Sequence, residues 1–252
     1  MVSRPDTASE PALNRIDRPG TTEQTWASWP GLQRLTVVRP AAWRSVVVVA
    51  AHPDDEVLGV GGTMAILAAA GIRLRLIAIT DGAASHPGAD PAVIAQTRVR
   101  ESAAALDRLG AGRTEVVRLG LPDTGLADHE QELSDILAEQ CAGFEVCLAP
   151  WEGDAHADHE AAGRAARRAG QQAGQTVLTY PVWMWHWAEP GDQRVPWHRA
   201  CRIGLDADLA ARKQAAIAAF TSQLTDRDAG ADPVLPPGIV AHFTRRHEVL
   251  LR

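Results

Sequence analysis

The sequence predicts an α/β fold: a Rossmann-like, mostly parallel sheet with helices on both faces. Three observations predict it. Short apolar runs recur along the chain, beginning with the β-branched Val46-Val47-Val48-Val49. Longer helical stretches separate them, and this alternation argues for parallel strands covered on both sides. Right-handed crossovers then make a single layered sheet the economical arrangement.

With 252 residues the chain has room for one such domain. Residues 1–20, polar and carrying Pro5, Asp6 and Pro11, are expected to form a disordered leader. Residues 21–44 carry Trp26, Trp29 and Trp43 and are expected to pack on the body, so that 21–252 form a single domain. The first strand is expected at 46–51, an unbroken apolar run suited to burial on both faces. Gly59-Val60-Gly61-Gly62 follows as a turn into an apolar helix at 60–70. Further strands are expected at 73–79, 114–119, 144–149 and 176–180, and helices at 91–109, 128–141, 158–172 and 206–222. Pro181 to Trp187 is aromatic and aperiodic, and Asp232 to Gly238 is proline-rich, so both are expected as loops. A short strand at 246–251 is expected to close a sheet edge.

Composition excludes some functions. The net charge is −6 and there is no basic stripe, which argues against a nucleic-acid partner. No apolar run approaches membrane-spanning length, and the N-terminus lacks a signal-peptide core. Cys141, Cys147 and Cys201 have no metal-like spacing and are expected as buried reduced thiols. Together these features point to the cytoplasm.

The chemistry is concentrated in two clusters. Ala51-His52-Pro53-Asp54-Asp55-Glu56 stands at the carboxyl end of the first strand. Buried charge must be paired or bound to metal, and the carboxyl ends of parallel strands are where such folds place ligands. Trp151-Glu152-Gly153-Asp154-Ala155-His156-Ala157-Asp158-His159-Glu160 follows another apolar run, Val146 to Pro150, in the same context of strand end, loop and helix start. On a first helical turn His156 and His159, three apart, share a face. Two His and one Asp leave coordination positions open, as a catalytic zinc-class site requires. Gly59-Val60-Gly61-Gly62 is not a dinucleotide fingerprint: its spacing is wrong, and the preceding carboxylates would repel a pyrophosphate.

The pair His-Pro-Asp-Asp-Glu and His-Ala-Asp-His, each after a strand, resembles the PIG-L/LmbE family of metal-dependent N-deacetylases, over about 46–222. That resemblance implies His52, Asp55 and His159 as metal ligands, Asp54 as general base, and His156 as oxyanion donor oriented by Asp158. It implies Arg98, in Arg98-x-x-Glu101, and Asp123 as substrate contacts. The implied cofactor is Zn2+, with Fe2+ or another divalent ion serving the same donors. The implied partner is a small N-acyl amino sugar or glycoconjugate, hydrolysed at its amide by water that the ion activates. An amidase of mycothiol-type thiol conjugates and a non-catalytic metal-containing sugar-binding module are the alternatives.

Several residues carry two readings. Asp54 could cap a helix, and Arg98 competes with Arg100, either of which could simply pair on a helix surface. Asp123 could cap a turn. The tryptophans from Trp183 to Trp187 could be core, or could line a pocket with Trp185 and His186 facing substrate. Lys213 and Phe220 to Gln223 are assigned to structure. Exposed tryptophans would leave a homo-oligomer open. Two departures from the family stand out: Ala83 replaces a Glu in Thr80-Asp81-Gly82-Ala83, and Asp154 stands where some relatives have a mobile Tyr.

Overall fold

The computed structural model describes Ile16, residues 18–227 and residues 232–252. Residues 1–15 and 17 of the expected leader lie outside the described residues. Its last residues are seated on the body, where His186 Nε2 donates to Arg18 O at 2.8 Å.

Among the described residues, eight strands form one sheet in the order β1-β7-β8-β6-β5-β2-β3-β4. They are β1 Thr36–Val37, β2 Ser45–Ala50, β3 Arg73–Ala78, β4 Glu115–Arg118, β5 Val146–Pro150, β6 Thr176–Tyr180, β7 Ala200–Gly204 and β8 His247–Leu251. All neighbours pair parallel except β8, which runs antiparallel to β6 and β7. The chain winds from β2 through β3 to β4 on one side, then returns to β5 and β6 on the other. The order therefore reverses between β2 and β5, and their carboxyl ends open a crevice there.

β2 shows why the run of valines is a strand. Val46 and Val48 face one core with helices α2 (Asp55–Ala69), α3 (Pro91–Leu109) and α7 (Ala207–Ile217). Val47 and Val49 face the other, with α4 (Glu130–Gln140) and the alanine-rich α5 (Ala157–Ala173). Both faces are apolar because both are covered. Small side chains let α5 lie close to the sheet: a Cβ on Gly163 would stand 2.5 Å from Pro150 O.

The glycine-rich stretch is not a turn before a helix at 60–70. α2 starts at Asp55 and runs through it with a kink at Val60, whose φ is −139°. Buried Glu248 on β8 caps the restarted helix, accepting from Gly62 N at 2.7 Å and Thr63 N at 2.8 Å. Lys213 Nζ pairs with the same carboxylate at 2.7 Å, and both side chains are buried. A buried charge without such a partner is strongly destabilising, so Lys213 is structural here. The glycines serve close approach: a Cβ on Gly59 would run into the Tyr180 ring.

Other expectations are corrected as well. The strand at 246–251 is not an edge: as β8 it lies between β6 and β7. The helix expected over 206–222 ends at Ile217, and a separate short helix α8, Thr221–Leu224, follows. The aromatic segment is not all loop, because Met184–Trp187 forms the short helix α6. None of the eight tryptophans is exposed, so no exposed ring marks a subunit contact. Trp26, on helix α1 (Glu23–Ala27), is fully buried and donates its Nε1–H to Trp185 O at 2.7 Å. All three cysteines are free and buried. No helix among the described residues is long and apolar enough to cross a membrane.

Candidate active site

The loops after β2, β4, β5 and β6 meet over the crevice between β2 and β5. Backbone strain gathers there. The described non-glycine residues with positive φ are Asp54 (130°), Thr124 (67°) and Ala155 (66°), each next to a residue of the site. Each such residue costs about 1–3 kcal/mol and persists only where its surroundings over-determine it.

Two histidines have one ring nitrogen anchored and the other aimed inward. His52 Nε2 lies 3.1 Å from Asp158 Oδ2 and 3.2 Å from Asp123 Oδ1. Ionised carboxylates only accept, so Nε2 carries the proton and Nδ1 presents a lone pair. Likewise His159 Nδ1 donates to Asp154 Oδ2 at 2.7 Å, leaving a lone pair on Nε2. Both lone pairs face one carboxylate: His52 Nδ1 is 3.3 Å from Asp55 Oδ2, and His159 Nε2 is 3.2 Å from Asp55 Oδ1. His159 Nε2 makes no hydrogen bond despite that distance and is buried. Two imidazole lone pairs against a carboxylate repel unless a cation stands between them. Protons show the same demand. Burial alone would lower the pKa of His159, but Asp55 and Asp154 more than offset it and raise it to about 9. Burial likewise opposes protonation of His52, yet Asp123, Asp158 and Asp55 hold its pKa well above the usual range. The donor set of two imidazoles and a carboxylate therefore fits a zinc-class divalent ion.

His156 lies beside these rings, 4.9 Å from His52 and 4.6 Å from His159 between centroids. His52, His156 and His159 each offer a nitrogen within 4.8 Å of the others, which makes a three-histidine set the rival. The tautomer argues against it. Asp158 N donates to His156 Nδ1 at 3.3 Å, so the ring proton sits on Nε2, which is then a donor and not a ligand. Burial, with His159 and His52 nearby, lowers the His156 pKa to about 3, which keeps the ring neutral.

Asp54 does not cap α2 with its side chain. Its Oδ2 instead accepts from Arg98 Nη2 at 3.0 Å, and the same guanidinium donates to Pro53 O and Gly82 O. Burial raises its carboxyl to about 6, against the pull of Arg98. Arg98, one of the two arginines considered, thus lies in the wall of the site and grips Asp54; Arg100 is exposed and bonds on its own helix. Asp123 Oδ2 accepts from Ala84 N at 2.7 Å, so Asp123 lines the cavity and backs His52.

The structure does not bring every predicted residue to the cavity. Trp185 is buried against Trp26, 5.1 Å between rings at 88°, and Arg245 lies 4.0 Å over its face. His186 turns to Arg18. Neither lines the cavity, because one turn of α6 directs them to the N-terminal segment; Trp183 lines it instead. Asp158 does not orient His156 through its side chain. Its carboxylate faces His52 and accepts from Thr124 N and Leu126 N, and only its backbone touches His156.

Sequence reasoning missed two residues. Asp154 is fully buried and accepts from three successive backbone N–H groups, of Val182, Trp183 and Met184, besides His159. The available signal was an Asp five residues before a candidate ligand His, but the amide groups it needs come from the loop after β6. Such carboxylate partners fix ligand tautomers, and losing one weakens metal binding by about 10–100-fold. Asp154→Asn, which sets an NH2 against donors, is expected to weaken divalent-ion affinity by that factor, read by competition with a chromophoric chelator. Unchanged affinity would show that packing alone holds His159. The second missed residue is Glu56, whose Oε2 accepts from Asp54 N at 3.1 Å while Ser102 donates to Oε1. It holds the strained Asp54 backbone, and burial pushes its own carboxyl up to about 7.

Known proteins resemble this chain over part of its length. The diacetylchitobiose deacetylase of Thermococcus kodakarensis is 26% identical over 126 residues, 48% of this chain and 46% of that protein. The 1D-myo-inositol 2-acetamido-2-deoxy-alpha-D-glucopyranoside deacetylase 1 of Catenulispora acidiphila is 34% identical over 90 residues, 36% of this chain and 26% of that protein. The match thus spans less than half the length of these curated relatives. The crystal structure of a conserved protein from Thermus thermophilus superposes with a TM-score of 0.55 at 29% identity, covering 74% of this chain and 82% of that one. Residues 47–170 match the family model described as PIG-L, GlcNAc-PI de-N-acetylase. That stretch holds both clusters and the crevice between them, and over it this chain is similar to the PIG-L family.

Proposed function

We propose that this protein is a metal-dependent amide hydrolase that removes an N-acetyl group from an amino sugar of the N-acetylglucosamine type. One observation carries the proposal: two histidines with fixed tautomers turn their lone pairs on Asp55, while Asp54 beside them is held apart by Arg98. The sugar class comes from the relatives, two of which are named as deacetylases of diacetylchitobiose and of a 2-acetamido-2-deoxyglucoside.

His52 Nδ1, Asp55 and His159 Nε2 would hold the ion, Zn2+ or a similar divalent metal. When bound, it supplies Lewis acidity that polarises the amide carbonyl and makes water acidic near neutrality. Asp54, close to its pKa at neutral pH, takes the proton of the attacking water and returns it to the leaving nitrogen. His156 donates its Nε2–H to the carbonyl oxygen as charge develops there. Arg98 keeps Asp54 oriented between these tasks. The cavity over the site holds about 130 Å3. Ligand pockets usually reach several hundred Å3, so the enclosed space suits the reacting end of the substrate, with the aglycone outside.

The test is release of primary amine from a panel of N-acetylglucosamine derivatives by zinc-loaded protein. The panel spans free, inositol-linked, lipid-linked and antibiotic-linked forms. Turnover is expected on at least one member, and a chelator is expected to abolish it. Asp55→Ala and His159→Ala proteins are expected to lose the metal. Silence across the panel with metal bound at one per chain would overturn the sugar assignment; unchanged metal content in both variants would overturn the ligand set.

A further inference from the structure

We infer that Gln223, assigned to structure on sequence alone, is a specificity residue whose side-chain oxygen accepts a hydrogen bond from a ring hydroxyl of the substrate; the inference rests on the amino-sugar assignment.

Gln223 is fully buried and contributes to the wall of the cavity that holds Asp54 and the histidines. Its Oε1 has no hydrogen-bond partner among the described residues. A buried carbonyl left unpaired is costly, and on a ligand cavity the partner to look for is the ligand. The orientation of the amide is fixed. Ser222 Oγ donates its proton to Glu101 Oε2 at 2.6 Å, so its lone pairs are what face Gln223. Gln223 Nε2 donates to them at 2.9 Å. The amide cannot turn without losing this bond, so the oxygen is the atom left over.

The support behind Gln223 is unusually complete for a segment of four helical residues. Glu101 accepts from Thr221 Oγ1, Ser222 N and Ser222 Oγ. Leu235 N donates to the backbone oxygen of Gln223 at 2.9 Å. Arg98 and Glu101 are one turn apart on α3, so one helix sets both the Asp54 carboxylate and the Gln223 amide.

The chemistry of the cavity wall selects the class of partner. Asp54, Asp55 and Asp123 line the same cavity, which disfavours an anion. Trp183, Val234 and Leu235 add apolar wall. A neutral donor on a partly apolar body, such as a hydroxyl on a sugar ring, meets both conditions.

The test compares wild type with Gln223→Met, close in size but without the acceptor, on N-acetylglucosamine and its 3-, 4- and 6-deoxy analogues. Affinity is measured by calorimetry, which needs no turnover, and amine release is followed in parallel. Wild type is expected to bind one deoxy analogue about tenfold more weakly than the parent. Gln223→Met is expected to bind the parent as weakly as wild type binds that analogue, with no further loss on removing the hydroxyl. Ser222→Ala, which frees the amide to turn, is expected to narrow the same discrimination, and thermal melting checks that both variants fold. An equal loss on every analogue, or equal binding of all by wild type, would overturn the inference. Selective binding without amine release would instead remove the deacetylase assignment and leave Gln223 reading a hydroxyl.

Discussion

Asp54→Asn is expected to keep the fold and the bound metal while lowering turnover by about a hundred- to ten-thousand-fold, the range for loss of a positioned acid–base group. The substitution is nearly isosteric, and an amide oxygen still accepts from Arg98 Nη2, which lies 3.0 Å from Asp54 Oδ2. The backbone at φ 130° remains tied by Glu56 and by Arg98 on Pro53 O. What disappears is the ability to take a proton. The pH profile gives a second readout. Burial raises the Asp54 carboxyl to about 6, and the base must be ionised to act, so the rate should fall as pH drops through that region. A cation beside it draws the limb lower. Asparagine removes the limb altogether. Full turnover by metal-loaded Asp54→Asn would end the base assignment.

His156→Ala is expected to lose about a hundred- to a thousand-fold in kcat, as for removal of one oxyanion donor, with metal content unchanged. Its Nδ1 accepts from Asp158 N, so its contribution in the cavity is a neutral Nε2–H. The variant also decides between the two donor sets. Metal lost with His156 would favour the set of His52, His156 and His159, whose nitrogens lie within 4.8 Å of one another. Metal retained with a collapsed rate would separate His156 from the ligands.

The parts legible in the sequence were those written in adjacent residues. The valines of β2 have helices on both faces because every position is apolar, and the His-Pro-Asp-Asp-Glu cluster sits where any parallel strand would deliver it. Contacts between distant segments were not legible. Three glycines in a row of four read as a breaker, yet Tyr180 and Glu248 hold that stretch as kinked helix. Asp154 looked like a departure, because nothing local shows that the amides of Val182 to Met184 will converge on it. The tryptophan run hid its division: Trp183 faces the cavity, while Trp185 turns to Trp26, 159 residues earlier in the chain.

The antiparallel β8 governs the order in which this molecule can be completed. It matches β7 over five residue pairs but meets β6 at only Thr179 and Leu251. Everything from β6 to β4 can assemble by local crossovers as it is made, whereas β1 and β7 have no neighbour in that half of the sheet. A nascent chain in which residues 247–251 are still inside the ribosome would therefore hold its two acidic-histidine clusters on a sheet with an open β6 edge and with Gly62 and Thr63 uncapped. Exposed edges invite pairing with other chains. Aggregation during synthesis should then concentrate in that late interval, and slowed translation just before codon 247 should lengthen it.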